Sequence, residues 1–196
     1  MKKIIIIGAT SGIGRGLAEI YSQEDFLIGI TGRRENLLKE VCARDEDKLF
    51  YQVCDITDTQ STISSLETLV QKMGGMDILI ICAGTGELNP ELSYQLEEPT
   101  LLTNVIGFTN IADWGFRYFK RQKKRASGYY LLRWRYSGQW YCPCLQCIES
   151  LSNQLYGRAT AESDQISPSY LYDRYSSRIC RHCHGKRRRI VLGYSC

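Results

Sequence analysis

Short apolar runs alternate with amphipathic stretches along the first two thirds of the chain. Residues 4–7 and 26–31 are apolar runs without polar alternation, which predicts strands buried on both faces, and two further strands are predicted over 49–53 and 76–81. Helical periodicity predicts helices that continue to residue 22 and span 35–44 and 61–73. This alternation of strands and helices predicts an α/β fold with a parallel sheet.

The first strand runs directly into a glycine-rich turn that opens a helix. Gly8, Gly12 and Gly14 give the spacing G-x-x-x-G-x-G. Such glycines permit a tight turn, a close approach of backbone to phosphate, and close helix–strand packing. The free N–H groups of the helix start, together with the helix dipole, favour an anion, and Thr10 and Ser11 add hydroxyl donors. The turn therefore predicts a nucleotide phosphate site, the alternative being a tight connection alone.

Two arginines follow the second strand, where a dinucleotide fold places the adenosine ribose. An acidic residue there would accept the ribose 2′-OH, but the chain has Arg33 and Arg34. Their charge and bidentate geometry suit a 2′-phosphate. The pair favours NADP over NAD as cofactor, and the alternative is a solvated basic loop.

The motifs together resemble the short-chain dehydrogenase/reductase family over residues 1–124. GATSGIG is its glycine-rich turn, and its adenine-binding Asp is matched by Asp55. Cys82-Ala83-Gly84 stands where the family has Asn-Ala-Gly, an Asn that supports the central sheet. Asn104 matches the Asn that holds a water linking the catalytic lysine to solvent. The cofactor-binding residues that the resemblance implies are Gly8, Thr10, Ser11, Gly12, Ile13, Gly14, Arg33, Arg34, Asp55, Ile56, Cys82, Ala83 and Gly84.

The resemblance implies a Rossmann-like doubly wound parallel sheet with helices on both faces, in which residues 101–112 form the family's long central helix. It implies an oxidoreductase that moves hydride between NADP(H) and a small-molecule carbonyl or alcohol substrate. It also implies a homodimer or homotetramer built on the central helices, which include residues 101–112. A net charge of +4 is too small to indicate nucleic acid as a partner. The apolar runs are shorter than a membrane span or a signal peptide core, so we expect a cytoplasmic protein without a membrane partner.

The composition changes after Lys124. Residues 125–196 hold six of the nine cysteines, nine of the thirteen tyrosines and both histidines. They contain ten arginines but one lysine, Lys186, and they lack the Y-x-x-x-K pair of the family. We therefore divide the chain into an NADP-binding Rossmann half, residues 1–124, and a tail, residues 125–196.

One interpretation of the tail is a cysteine-rich interaction module. Cys144-x-x-Cys147 and Cys180-x-x-Cys183 have the outline of a four-thiolate zinc site. The second pair, followed by His184, also has the outline of a haem attachment, which would need an exported protein. The order of elements and the composition argue against a metal site here.

The other interpretation is a change of reading frame. Lys123-Lys124-Arg125 can be encoded by seven A bases followed by GG. Removing one A and choosing synonymous codons yields a tail containing GHLVIISS and YNASK. This restores a buried strand and a Y-x-x-x-K helix, with serine, tyrosine and lysine in place of Leu132, Leu145 and Glu149.

If the reading frame has changed, the 196-residue chain is predicted to be catalytically inactive. Leu132 and Leu145 are hydrocarbon, and Glu149 has the charge opposite to lysine. An ordinary tyrosine has a pKa of ~10, so a base at neutral pH needs the neighbouring lysine cation. Two alternatives stay open: a non-catalytic nucleotide-binding protein, and a Rossmann half fused to the zinc-binding module.

Overall fold

A parallel sheet forms the centre of the computed structural model, which describes residues 1–122 and a short strand at 129–130. The strand order is β3-β2-β1-β4-β5, and every pairing is parallel. Because the chain winds outward from β1 in both directions, the predicted doubly wound fold is confirmed. The strands are β1 Lys2–Ile7, β2 Phe26–Gly32, β3 Leu49–Val53, β4 Ile78–Ile81 and β5 Tyr129–Tyr130. The helices are α1 Gly12–Tyr21, α2 Glu35–Cys42, α3 Thr59–Met73, α4 Tyr94–Leu101 and α5 Phe108–Arg121.

Strand β1 divides the core into two layers. Ile4 and Ile6 pack in the layer that includes residues of α1 and α2, whereas Ile5 and Ile7 pack in the layer that includes residues of α3 and α5. All four isoleucines are completely buried. Burying one such side chain contributes about 1.5–3 kcal/mol to the stability of the fold, so these four isoleucines are a major part of the hydrophobic core around the sheet. Helices on both faces are thereby confirmed.

Helix α3 begins and ends at residues with a clear capping role. The Asp58 side chain accepts hydrogen bonds from the backbone N–H groups of Gln60 and Ser61, at 3.1 and 3.0 Å. The helix therefore starts at Thr59, two residues before the predicted start. It ends at Met73, and Gly74 caps it with a φ of +69°, the left-handed conformation that glycine adopts without strain.

The helix predicted over 101–112 is longer and less regular in the structure. Helices α4 and α5 are joined without a break by a π-helical segment, Leu102–Gly107. Gly107 is the point of closest approach, since a Cβ there would lie 2.5 Å from the carbonyl oxygen of Ile56. A π-helical turn inside an α-helix is frequent at functional sites, and periodicity alone does not reveal it.

The sequence predicts no strand after Lys124, but the structure adds β5. Tyr129 and Tyr130 pair with Leu79 and Ile80 of β4. The unpaired backbone groups along this side of β4 need partners, which gives a physical reason for the added strand. The tail cysteines and positions 132, 145 and 149 lie outside the described residues.

Within residues 1–122 and 129–130, no helix combines the length and apolar character needed to cross a bilayer. The same residues contain no cluster of three or more histidine, cysteine or carboxylate side chains that could hold a metal ion.

The packing at Gly107 yields a stability prediction. Gly107→Ala forces a methyl group against the Ile56 carbonyl, and we expect a loss of about 1–3 kcal/mol in the free energy of unfolding. Gly16→Ala is the matched control, because a Cβ at Gly16 meets no atom within 4 Å and alanine favours the helix. Urea denaturation of the two variants measures the difference. A Gly107→Ala variant as stable as the control would contradict the packing argument.

Candidate active site

The turn after β1 is held by close backbone contacts. The backbone N–H groups of Gly8 and Ala9 both donate to the carbonyl oxygen of Thr31, at 3.0 and 2.9 Å. A Cβ at Gly8 would lie 2.7 Å from the backbone of Ala83, and Gly8 has a φ of +84°. A Cβ at Gly14 would collide with the Gly8 carbonyl oxygen. Two of the predicted glycines are therefore required by close approach.

The start of helix α1 presents free donors. Ser11 occupies the N-cap position in an extended conformation, but its hydroxyl makes no capping bond, and no acidic residue lies in the first turn. The N–H groups of Gly12, Ile13 and Gly14 thus have no partner within the helix. With the positive end of the helix dipole, they form the anion-binding geometry that the sequence predicts.

Arg33 and Arg34 both line one cleft at the carboxyl edge of the sheet, but they differ in their partners. Arg34 donates from Nη2 to the hydroxyl oxygens of Thr10 and Ser11, at 2.8 and 2.9 Å. Arg33 is exposed and lines the same cleft. Gly32 must be small, because a Cβ there would lie 2.5 Å from Cγ2 of Thr10. A side chain at position 32 would therefore require Thr10 to shift.

Asp55 is oriented by the loop after β3. Its Oδ1 accepts from the backbone N–H and the hydroxyl of Thr57, at 3.0 and 2.8 Å. These two bonds fix the carboxylate and leave Oδ2 for another donor. Ile56 is 7% exposed, so it provides an apolar wall next to this carboxylate.

The thiols at this edge are not activated. Burial raises the pKa of the Cys82 thiol to about 12, and burial also raises the pKa of Cys54. Both thiols are therefore protonated at neutral pH, and a thiol in that form is a poor nucleophile. Cys82 joins the sheet through its backbone, since its N–H donates to the Ile7 carbonyl oxygen at 2.8 Å.

Asn104 lies in the π-helical segment and holds the loop that follows β4. Its Oδ1 accepts from the backbone N–H of Thr85 at 2.9 Å, and its Nδ2 donates to the Thr85 carbonyl oxygen at 2.7 Å. Both ends of the amide are therefore engaged with one residue. This clamp is a positioning role that the sequence did not predict. The proposed link to a lysine falls on residues outside the described part.

One cleft collects the predicted cofactor residues at the carboxyl edge of the sheet. All of them line it except Gly14, which packs against the carbonyl group of Gly8. Asn104 is connected to the cleft by its hydrogen bond to the lining residue Thr85. Among the residues that the structure describes, the completely buried Thr31 hydroxyl has no hydrogen-bond partner. Sequence reasoning missed five lining residues: Thr31, Gly32, Cys54, Thr85 and Thr103. The first three lie within one residue of the end of a strand, and this position could have revealed them.

Comparison with known proteins agrees with this geometry. The sequence profile of the family described as short chain dehydrogenase matches residues 2–128. L-2,3-butanediol dehydrogenase of Corynebacterium glutamicum is 27% identical over 114 residues, which cover 55% of this chain and 44% of that enzyme. Serine 3-dehydrogenase of Agrobacterium fabrum is 32% identical over 113 residues, which cover 55% and 45%.

Solved structures share the fold. A short-chain dehydrogenase/reductase of Saccharomyces cerevisiae has a TM-score of 0.72 at 19% identity, and the match covers 85% of this chain and 67% of that one. A 3-ketoacyl-(acyl-carrier-protein) reductase of Brucella melitensis, complexed with NADH, has a TM-score of 0.69 at 18% identity, covering 79% and 66%.

The chain spans less than half the length of the curated relatives described above. The family profile, however, covers more than half of this chain and includes every element that builds the cleft. The chain belongs to the short-chain dehydrogenase/reductase family of oxidoreductases.

Proposed function

We propose that residues 1–124 form a binding site for NADP, with NAD the weaker ligand. The observation that carries the proposal is the pair Arg33 and Arg34 at an end of β2 that bears no carboxylate. The next residue, Glu35, is an acid, but its carboxylate pairs with Lys39 at 3.0 Å and accepts from the Tyr51 hydroxyl at 3.2 Å. The lysine lowers the pKa of Glu35 and leaves the carboxylate ionised and engaged.

The cleft offers a complementary group for each part of the adenosine diphosphate portion. Oδ2 of Asp55 is the acceptor for the adenine amino group, and Ile56 supplies the apolar wall. The free N–H groups at the start of α1 face the diphosphate. In a doubly wound fold the dinucleotide crosses the sheet where the strand order reverses, here between β1 and β4. The backbone at Ala83 and Gly84 would then adjoin the second half of the cofactor.

When bound, the nicotinamide supplies the hydride, and the protein must bind, orient and exchange a proton with the substrate oxygen. The described part of the chain performs the binding and orienting. Asn104 holds the loop at Thr85 in place through its two amide hydrogen bonds. We propose a small-molecule carbonyl or alcohol as the substrate class, as for the family.

We further propose that the 196-residue chain binds cofactor but does not turn over substrate, because of a change of reading frame near Lys124. Proton transfer to a carbonyl needs a polar group within hydrogen-bond reach, and leucine at positions 132 and 145 offers none. The shift in composition at this point supports the frame change. Residues 125–196 are then a tail without a domain of their own.

Cofactor preference tests the role of the arginine pair. We expect NADP to bind at least ~10-fold more tightly than NAD, because one added charge-assisted contact is worth about 1.5–3 kcal/mol. Isothermal titration of the full chain with NADP and NAD measures the ratio. Equal affinities would contradict the role of the arginine pair.

A matched pair of glycine variants tests the location of the site. Gly14→Ala places a methyl group against the Gly8 carbonyl and should weaken NADP by at least ~10-fold, since it displaces the turn that faces the diphosphate. Gly16→Ala lies two residues further along α1 in open space and should bind like the parent. Circular dichroism confirms that both variants fold. Unchanged NADP binding by a folded Gly14→Ala variant would place the site elsewhere.

Turnover tests the proposed inactivity of the chain. The 196-residue chain should show no change in NADPH or NADP absorbance with a panel of aldehydes, ketones and alcohols that includes L-2,3-butanediol and serine. The panel includes these two because relatives are named for them. A gene with one A removed at the codons of Lys123–Arg125 should encode a protein that is active on at least one compound. Turnover by the unaltered chain would contradict the proposed inactivity.

Sequencing the source DNA across codons 120–130 separates the origins of the frame change. Six A bases before GGG would mean that the organism makes the frame-restored protein, and seven would mean that the shift is in the gene. One zinc ion per purified chain would instead favour the cysteine-rich module, and the frame change predicts none.

A further inference from the structure

We propose that Arg34 is a positioning residue that orients the Thr10 and Ser11 hydroxyls toward the diphosphate. The contact with the 2′-phosphate, which belongs to the proposed function, then falls to Arg33 alone. The inference rests on the proposed cofactor site. It gives different roles to two arginines for which the sequence predicts one shared role.

The hydrogen bonds of Arg34 are the first argument. One nitrogen, Nη2, donates to both Thr10 Oγ1 and Ser11 Oγ, at 2.8 and 2.9 Å. That nitrogen has only two hydrogens, so both are used. Swinging Arg34 onto a 2′-phosphate would break two charge-assisted bonds and release the turn. We therefore expect Arg34 to keep its hydrogen bonds to Thr10 and Ser11 when a ligand is bound.

The hydroxyl groups supply the second argument. A hydroxyl has one hydrogen to donate and two lone pairs that accept. Because each oxygen accepts from the guanidinium, its own hydrogen is directed away from Arg34 and is available to an acceptor in the cleft. The Ser11 hydroxyl is not used to cap α1. Thr10 is further fixed by its methyl group, which lies against Gly32.

Arg33 differs from Arg34 in its partners. Both are exposed and line the cleft, but within residues 1–122 the Arg33 side chain makes no hydrogen bond or ion pair. Its whole guanidinium fork is therefore available for bidentate contact with a phosphate, the geometry for which arginine is suited. No existing bond has to break for Arg33 to reach such a ligand.

Two fragments of the cofactor separate the roles. Adenosine 2′-monophosphate carries the 2′-phosphate without the diphosphate, and ADP carries the diphosphate without the 2′-phosphate. We expect Arg33→Ala to weaken adenosine 2′-monophosphate about tenfold and to leave ADP within about twofold. Arg34→Ala should do the reverse. Ligand-observed NMR titration of the full chain measures both dissociation constants.

Three further variants make the test specific. Arg117→Ala removes an exposed arginine of α5 outside the cleft lining and should change neither ligand. Arg34→Lys keeps the charge and should restore part of the ADP affinity. In a Ser11→Ala background, Arg34→Ala should cost less ADP affinity than it does alone, because it acts through that hydroxyl.

The outcomes distinguish this inference from the proposed function. If the parent chain binds neither fragment nor NADP, the proposed cofactor site is wrong. If the parent binds NADP but each arginine variant weakens both fragments equally, the cofactor site stands and the division of roles is overturned. Loss of adenosine 2′-monophosphate affinity in Arg34→Ala alone would assign the 2′-phosphate to Arg34 and would also overturn it.

Discussion

The close approach of β1 to β4 is the constraint on which the rest of the structure depends. Strand β1 is buried on both faces, so every element must be placed around it. At its carboxyl end, Gly8 passes so near the backbone of Ala83 that a single Cβ would not fit. Gly14 then brings α1 down onto the Gly8 carbonyl. The position of the helix start, and hence of the free N–H groups, follows from these two contacts.

The same edge is reinforced by backbone hydrogen bonds that cross from strand to strand. Cys82 donates to Ile7 at 2.8 Å, and Cys54 donates to Gly32 at 3.0 Å. Each of these bonds links the first residue after one strand to the last residue of the neighbouring strand. The cleft is consequently formed by backbone that is already paired, and the side chains Arg33, Arg34 and Asp55 project from a fixed frame. A preorganised frame of this kind lowers the cost of ordering a ligand site.

Much of this frame could be predicted from the sequence because it depends on residue types with few conformations. A run of isoleucines without intervening polar residues predicts a buried strand, and closely spaced glycines predict a turn where side chains do not fit. The partners of Arg34 and the amide clamp of Asn104 could not be predicted, because long or polar side chains have several available partners. The π-helical segment was missed for another reason: helical periodicity does not distinguish it from an α-helix, and the packing of Gly107 against Ile56 joins residues distant in sequence.

Binding and chemistry are unevenly distributed along a chain of this family, so the proposed frame change near Lys124 would have a specific consequence. The elements that build the cleft come from β1 to the π-helical segment, all before that point. The serine and the Y-x-x-x-K pair of the resemblance all belong after it. The proposed change of frame between them would therefore leave the residues of the proposed NADP site intact and would remove the serine, the tyrosine and the lysine. Binding and proton transfer would be separable in this way because a doubly wound sheet completes one nucleotide-binding half before it begins the other.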